Sequence, residues 1–215
     1  MRHLLAKEVR LCMHPAAIVF LFLSSMVMIP NYPYLVAFFY TTLGIFFICL
    51  SGRENNDIFF SVCLPVKKTD IVTARFITAV ALELVQVILA AVFVIIRNAL
   101  GTGANLAGMD ANISLFGWAL IMLGVFNLVF FTAYYKNVAK VGSAFVKGCI
   151  VTFVIILFVE ATVHFLPFMK DVLDTPDPEH QAAKLILLGA GIVLYVVLTA
   201  TAHARAKRSF EKFDL

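Results

Sequence analysis

Six long apolar runs divide the chain, and the polar stretches between them are short. A helix that spans a bilayer needs about 17 to 25 mainly apolar residues, and runs at about 14–30, 33–52, 71–96, 114–135, 145–167 and 184–203 have that length. The pattern predicts an all-α polytopic membrane protein, with residues 1–215 forming a single transmembrane domain of six helices. What lies between the runs is too little for a soluble domain of about 50 residues or more, so any soluble catalytic work falls to another polypeptide.

Two polar segments carry helical patterns of their own. Residues 1–13 place Leu4, Leu5, Val9 and Cys12 on one side, with Arg2, Lys7 and Arg10 largely elsewhere, as in a helix lying in the interfacial plane. Pro15 then predicts an elbow into the first span; the alternative is a first span that begins early with a frayed cationic end. The uncharged turn Pro30-Asn31-Tyr32-Pro33 joins the first two spans as a hairpin. In the polar break 51–76, Asn55, Asn56 and Asp57 offer N-cap side chains, and Pro65 disfavours helical geometry at Leu64. The prediction is a helix of about two turns over roughly 57–63, carrying Ile58, Phe59, Phe60 and Val62. An apolar cluster flanked by charge marks an interaction surface. Beyond it, Thr69 or Asp70 is expected to cap the third span.

Composition and charge sharpen this. The chain is 62% hydrophobic and 14% charged, with a mean hydropathy of +0.96, outside the usual range of soluble domains. If the N-terminus is cytoplasmic, 14 of the 17 Lys and Arg residues fall on the cytoplasmic side, and only Arg97, Lys170 and Lys184 fall outside. That bias predicts an even number of spans and a multi-pass membrane protein with both termini in the cytoplasm. The net charge of +4 is thereby an orientation signal, and no nucleic-acid partner is needed to explain it. A late first run followed by IPNYPY argues against a cleaved signal peptide. Cys12, Cys49, Cys63 and Cys149 lie in spans or on the cytoplasmic side and read as small packing residues.

Polar residues inside the apolar runs are the candidate chemistry. Glu83 and Gln86 are one turn apart in the third span, with Glu83 about 18 Å along the helix from Ile71, near mid-membrane. An ionised side chain there costs at least about 2.5 kcal/mol, so Glu83 is expected to face the bundle, a wet cavity or a partner, or to be protonated. Glu160 and His164 are spaced i, i+4 in the fifth span and share a face, where they are placed to hydrogen-bond. These four form a candidate substrate pathway; the competing reading is hydrogen-bonded packing between helices, for which Asn127 is also placed. Gly189-Ala190-Gly191 and Gly142-Ser143-Ala144 read as close-packing surfaces.

The outer segment 97–114, rich in Gly, Asn and Ala, reads as flexible, and its GTGANLAG lacks the lysine and strand of a phosphate-binding loop. Asn112-Ile113-Ser114 is a sequon that matters only in a secreted eukaryotic setting. Asp171, Asp174, Asp177 and Glu179 match no calcium-loop spacing and read as a solvated acidic face. No catalytic set and no metal-ligand set is read from the chain.

The elbow, six spans, inward termini and helix-bearing loop together resemble the small permease subunits of type-2 ATP-binding-cassette (ABC-2) transporters. The loop is the specific part: the polar-acidic entry Glu54-Asn55-Asn56-Asp57, then Leu64, Pro65, Val66, Lys67, Lys68, Asp70, Ile71, Val72 and Arg75. The architectural likeness covers nearly the whole chain and the motif only about 51–76.

The resemblance implies a coupling helix that contacts a separate ATPase subunit through Asp57, Ile58, Phe59, Phe60, Val62, Pro65 and Lys67. It further implies a pair of cytoplasmic ATPase subunits, a second permease subunit, identical or homologous, and export of a peptide, lipid or drug-like substrate. ATP and Mg are then cofactors of the partner, with none in this chain. The short outer segment before the sixth run departs from larger relatives and implies reduced outer re-entrant helices. The alternative reading is a proton-coupled secondary transporter using Glu83, Glu160 and His164. An integral membrane enzyme lacks a visible acid pair or His cluster, and a non-transporting immunity or sensor subunit that binds an ATPase is the remaining alternative.

Overall fold

The computed structural model describes residues 1–101 and 103–212, and every regular element among them is helical. The elements are α1 (Arg2–Lys7), α2 (Pro15–Phe22), α3 (Leu35–Glu54), α4 (Asp57–Val62), α5 (Lys68–Ala99), α6 (Ile113–Tyr134), α7 (Val141–Phe165) and α8 (Gln181–Glu211). Wider π-type turns follow α1 (Glu8–Cys12) and precede α8 (Met169–Leu173), and tighter 3₁₀ turns follow α2 (Leu23–Met28).

Five of these helices, α3 and α5 to α8, are long and apolar enough to cross a membrane. The expected first span is different. Pro15–Met28 meets Arg2–Cys12 at a bend of 82°, and only with the bent pair taken as one span does the number reach six. At 1.5 Å per α residue and 2.0 Å per 3₁₀ residue, α2 with its 3₁₀ extension reaches about 24 Å, short of a hydrocarbon core of about 30 Å. The bend itself has a local cause. Pro15 occupies the first turn of α2, where its missing N–H costs nothing, and His14 Nδ1 accepts from the Ala16 amide at 3.1 Å.

α6 is the centre of the bundle. It packs on α8, α7 and α3, while α3 and α8 also hold α5. α7 and α8 pack mainly on α6 and little on each other. Around α6, Phe126 and Phe130 stack at 5.1 Å, Phe130 and Tyr134 at 5.8 Å, and Phe76 of α5 meets Phe131 at 4.3 Å. The outward faces of α5, α7 and α8 remain apolar, with Ile88, Ile95, Leu157, Phe158, Ile186 and Val193 exposed. This apolar exterior over a packed interior is what a lipid solvent permits.

The closest helix approach is α6 on α8. A Cβ added at Gly191 would lie 3.0 Å from Gly117 Cα, so the two backbones meet with no room for a side chain. Gly189 and Gly142, by contrast, face open space and are not packing surfaces.

Other local expectations change in detail. Asn56 sits at the N-cap of α4 with a left-handed backbone (φ 51°) and no capping side-chain bond. α5 starts after Lys67, so Thr69 and Asp70 lie inside its first turn and cap nothing. Residues 105–112 of the 97–114 segment are pinned: Asn105 Nδ2 donates to the Tyr32 and Met109 carbonyls, and Asn112 Nδ2 donates to those of Leu173 and Thr175. Replacing Gly191 with leucine is expected to force α6 and α8 apart and cost about 1–3 kcal/mol by overpacking. The melting temperature in detergent checks this, with Gly189→Leu, at an open position, expected to leave it unchanged.

Candidate coupling site

α4 lies at the end of the bundle where α3 turns into α5, and it is too short to hold itself helical alone. Its two faces do different work. Ile58 is 5% exposed and joins the core that includes Val72, Tyr134 and Val138, with Val62 half-buried beside it. Phe59 and Phe60 point away, 46% and 62% exposed, and Pro65 and Lys67 are exposed beyond the helix. Two large aromatic rings therefore stand on the outward side of a fixed helix. Of the expected contact residues, Phe59, Phe60, Pro65 and Lys67 are therefore accessible, whereas Ile58 and Asp57 serve to fasten the helix.

The fastening is a buried charge cluster. Asp57 Oδ2 accepts from Arg75 Nη2 at 2.7 Å, and Asp57 Oδ1 accepts from Lys7 Nζ at 2.7 Å. Lys7 Nζ also donates to Ser61 Oγ at 2.9 Å, one turn further along α4. Arg75 Nε donates to Glu8, whose carboxylate lies 3.2 Å from Lys7 Nζ. Arg75 Nη1 reaches Cys49 Sγ at 3.8 Å, and Gly52 leaves it space, since a Cβ there would sit 3.3 Å from Nη1. Arg75 and Glu8 are 3% and 1% exposed, so both charges must be paired to be tolerated. Three elements far apart in sequence thus share one set of charges: the N-terminal helix, α4 and α5.

Although Glu8, Cys12 and Asp57 offer ligand atoms within 4.8 Å of one another, Arg75 and Lys7 already meet both carboxylates, which makes the group an ion-pair network. Burial raises the Asp57 carboxyl, but the Arg75 charge and the Lys7 contacts outweigh it and hold the group below its ordinary value. Burial lowers the Lys7 ammonium, and the charges of Glu8 and Asp57 outweigh that and raise it. A depressed carboxyl stabilises above its unfolded value and a raised ammonium stabilises below its own, so the cluster holds across the window between 3.8 and 10.5. Burial also pushes the Cys12 thiol up to about 12, keeping it neutral there.

Sequence periodicity missed Glu8. It places Val9 on the buried side of the first helix, yet Val9 is 58% exposed and Glu8 is buried. The π-type turn at Glu8–Cys12 shifts the register of everything after Lys7, and a helix period of 3.6 cannot anticipate that. The available signal was charge: Glu8 is the lone acid among the basic residues of the first segment.

The intramembrane candidates occupy separate places. Glu83 Oε2 accepts from Tyr195 OH at 2.6 Å and from Asn127 Nδ2 at 3.0 Å, and Asn127 also donates to Thr199 Oγ1 at 3.2 Å. This knot ties α5, α6 and α8 together. Gln86 Nε2 donates to the Ala37 carbonyl of α3 at 3.1 Å. Glu160 does not bond His164: its Oε2 accepts from the Met109 amide at 2.9 Å, and His164 is exposed. Helical spacing put the two on one side, but the folded outer segment offers Glu160 a backbone donor at closer range.

At that opposite end, the acidic stretch is also more than a solvated face. Asp174 Oδ1 accepts from the Asp110 amide at 2.6 Å, and Asp177 accepts from the Ile113 amide and from the fully buried Lys184. Asp171 and Glu179 remain exposed. Between α7 and α8 stands one short helical stretch ending in the Met169–Leu173 turn.

Residues 3–203 match the family described as ABC-2 family transporter protein, and the chain belongs to that family. It is therefore the membrane-embedded permease part of an ABC transporter. No curated protein and no solved structure matches the chain.

Two predictions follow from these charges. Arg75→Ala leaves the Glu8 and Asp57 carboxylates to share Lys7 alone, one charge of the cluster uncompensated, and is expected to cost about 3–5 kcal/mol, while Glu8→Gln in the same chain restores part of the loss. Equal melting temperatures in detergent for the wild type and both variants would remove the cluster from the account. Burial pushes the Asp174 carboxyl up to about 6, with the Asp110 amide pulling it down and the Asp110 charge pushing it up. A raised carboxyl binds its proton more tightly when folded, so stability should fall as pH rises from its ordinary 3.8 through about 6. Asp174→Asn should flatten that slope in a melting series across the same window.

Proposed function

We propose that this ABC-2 family member is the permease subunit of an exporter in a bacterial plasma membrane, driven by ATP hydrolysis on a separate cytoplasmic ATPase subunit. ATP and Mg are bound by that partner. The observation that carries the reading is a short helix presenting Phe59 and Phe60 outward from a buried charge cluster. An aromatic pair on a rigid helix suits a groove on a soluble domain, where anchors of this kind supply most of the binding free energy. Excess Lys and Arg at this end favours its cytoplasmic placement, with both termini on the same side.

In this reading two permease subunits, identical or homologous, sit on two ATPase subunits. ATP-dependent closure of the ATPases displaces α4. Because Asp57 is bonded to both Arg75 and Lys7, a shift of α4 is passed to α5 and to the elbow together. α5 is about 48 Å long at 1.5 Å per residue, so tilting it at one end moves its far end past α3 and α8. The substrate class is peptide, lipid or drug-like. Glu83 and Gln86 are read as polar ties between α5 and its neighbours rather than as a proton path.

The test is the pair Phe59→Asp and Phe59→Asp with Phe60→Asp in the full chain. Both are expected to insert and fold normally, to lose association with the ATPase subunit by tenfold or more on co-purification, on the order of 1.4 kcal/mol or greater, and to lose ATP-driven export in vesicles. Normal assembly and transport by the double variant would show that α4 is not the docking element.

A further inference from the structure

α7 and α8 pack on α6 and little on each other, which leaves a seam between them with α6 as its floor. At the α4 end of the bundle the seam widens into a cavity of about 530 Å³. Its wall has two chemistries. Leu128, Val129, Ala133 and Ala144 supply an apolar floor, whereas Lys136, Lys140, Lys147 and Arg205 supply four cations.

No carboxylate lines this cavity, and none of the four cations has a hydrogen bond or ion pair among the described residues. Lys7, Arg53, Arg75 and Lys184 each meet an acid of the chain, yet here four like charges share one concave surface without one. Like charges gathered in a cleft with apolar walls concentrate the field and favour an anion from outside the chain. Thr132 on the same wall also keeps a hydroxyl with no hydrogen-bond partner in the chain.

Position selects the ligand. Leu128 and Val129 belong to the apolar stretch of α6, while Lys147 and Arg205 stand where α7 and α8 leave theirs. The cavity therefore straddles the boundary between hydrocarbon and head-group layers and opens sideways along the seam. A soluble anion would match the rim and waste the floor. A molecule with an anionic head and an acyl tail matches both.

We propose that the α6–α7–α8 cavity is a binding site for an anionic phospholipid, its phosphate among Lys136, Lys140, Lys147 and Arg205 and its acyl chain along the seam. Basic pockets between transmembrane helices are suited to such head groups. The site is separate from α4 and from the Glu83 knot, and its occupancy does not depend on the transport reading.

The test uses the full chain purified in detergent, with phosphatidylglycerol and phosphatidylcholine of identical acyl chains titrated in native mass spectrometry, and glycerol 3-phosphate as a soluble competitor. Phosphatidylglycerol is expected to bind at least tenfold more tightly than phosphatidylcholine. Lys136→Gln with Lys147→Gln and Arg205→Gln should erase that preference, at about fivefold per charge. Arg2→Gln with Arg10→Gln and Arg208→Gln, which removes as many exposed cations of the same end, should change it less than twofold. On the wild-type chain, a photoreactive phosphatidylglycerol should label α6, α7 or α8 near the cavity, which keeps the test independent of variant folding. Equal binding of the two lipids, equal loss in the two triple variants, labelling elsewhere, or full displacement by millimolar glycerol 3-phosphate would each overturn the site.

Discussion

A charge that leaves water must be paired, and in this protein that rule joins the short helix α4 to the N-terminal segment and to α5. Arg75 enters the interior from the first turns of α5 and draws Glu8 and Asp57 to it, while Lys7 closes the set. Had the contacts been apolar, α4 would rest on the bundle through Ile58 alone and could slide on a greasy surface. Directional ion pairs allow less play, and the low polarity around them makes each harder to break singly. The short helix is thus a rigid projection of α5 and of the elbow, even though its own six residues could not stay helical in isolation.

The bundle around it has a packed centre and a more loosely held helix. α6 is enclosed and nearly uniform in apolarity, and its aromatic residues stack along one side of it. α5 lies outside this centre, held by α3, α8 and the Glu83 knot. Polar ties of this kind between membrane helices are worth around 0.6 kcal/mol on average, enough to set register and small enough to allow rearrangement. At the opposite end, carboxylates accept from backbone amides between Asn105 and Ile113, so that stretch is folded structure in its own right. A bundle stiff at both ends and tied by a few weak polar bonds in between suits rocking motions better than local melting.

What the sequence by itself determined is the part governed by solvent. Runs of apolar residues as long as a bilayer is thick leave the backbone no state but helix, so α3 and α5 to α8 were legible as helices. Proline geometry fixed the elbow at Pro15 and the end of α4 before Pro65, and the flanking charge marked Phe59 and Phe60 as a surface. Family membership was legible in the same way, through the 51–76 segment and the order of elements.

What only the tertiary structure decided is which polar groups meet, because that depends on contacts between residues with no periodic relation. The π-type turn rotated Glu8 inward past Val9; the fold of the 97–112 segment took Glu160 from His164; and Asn127 with Tyr195 claimed Glu83. The bend before Pro15 and the end of regular helix at Met28 likewise leave a run shorter than the full crossing that composition alone reads. Hydrophobic burial is non-directional and can be read from spacing, whereas hydrogen bonds and ion pairs require atoms within about 3 Å, and only folding brings Glu8 to Arg75 or Glu83 to Tyr195.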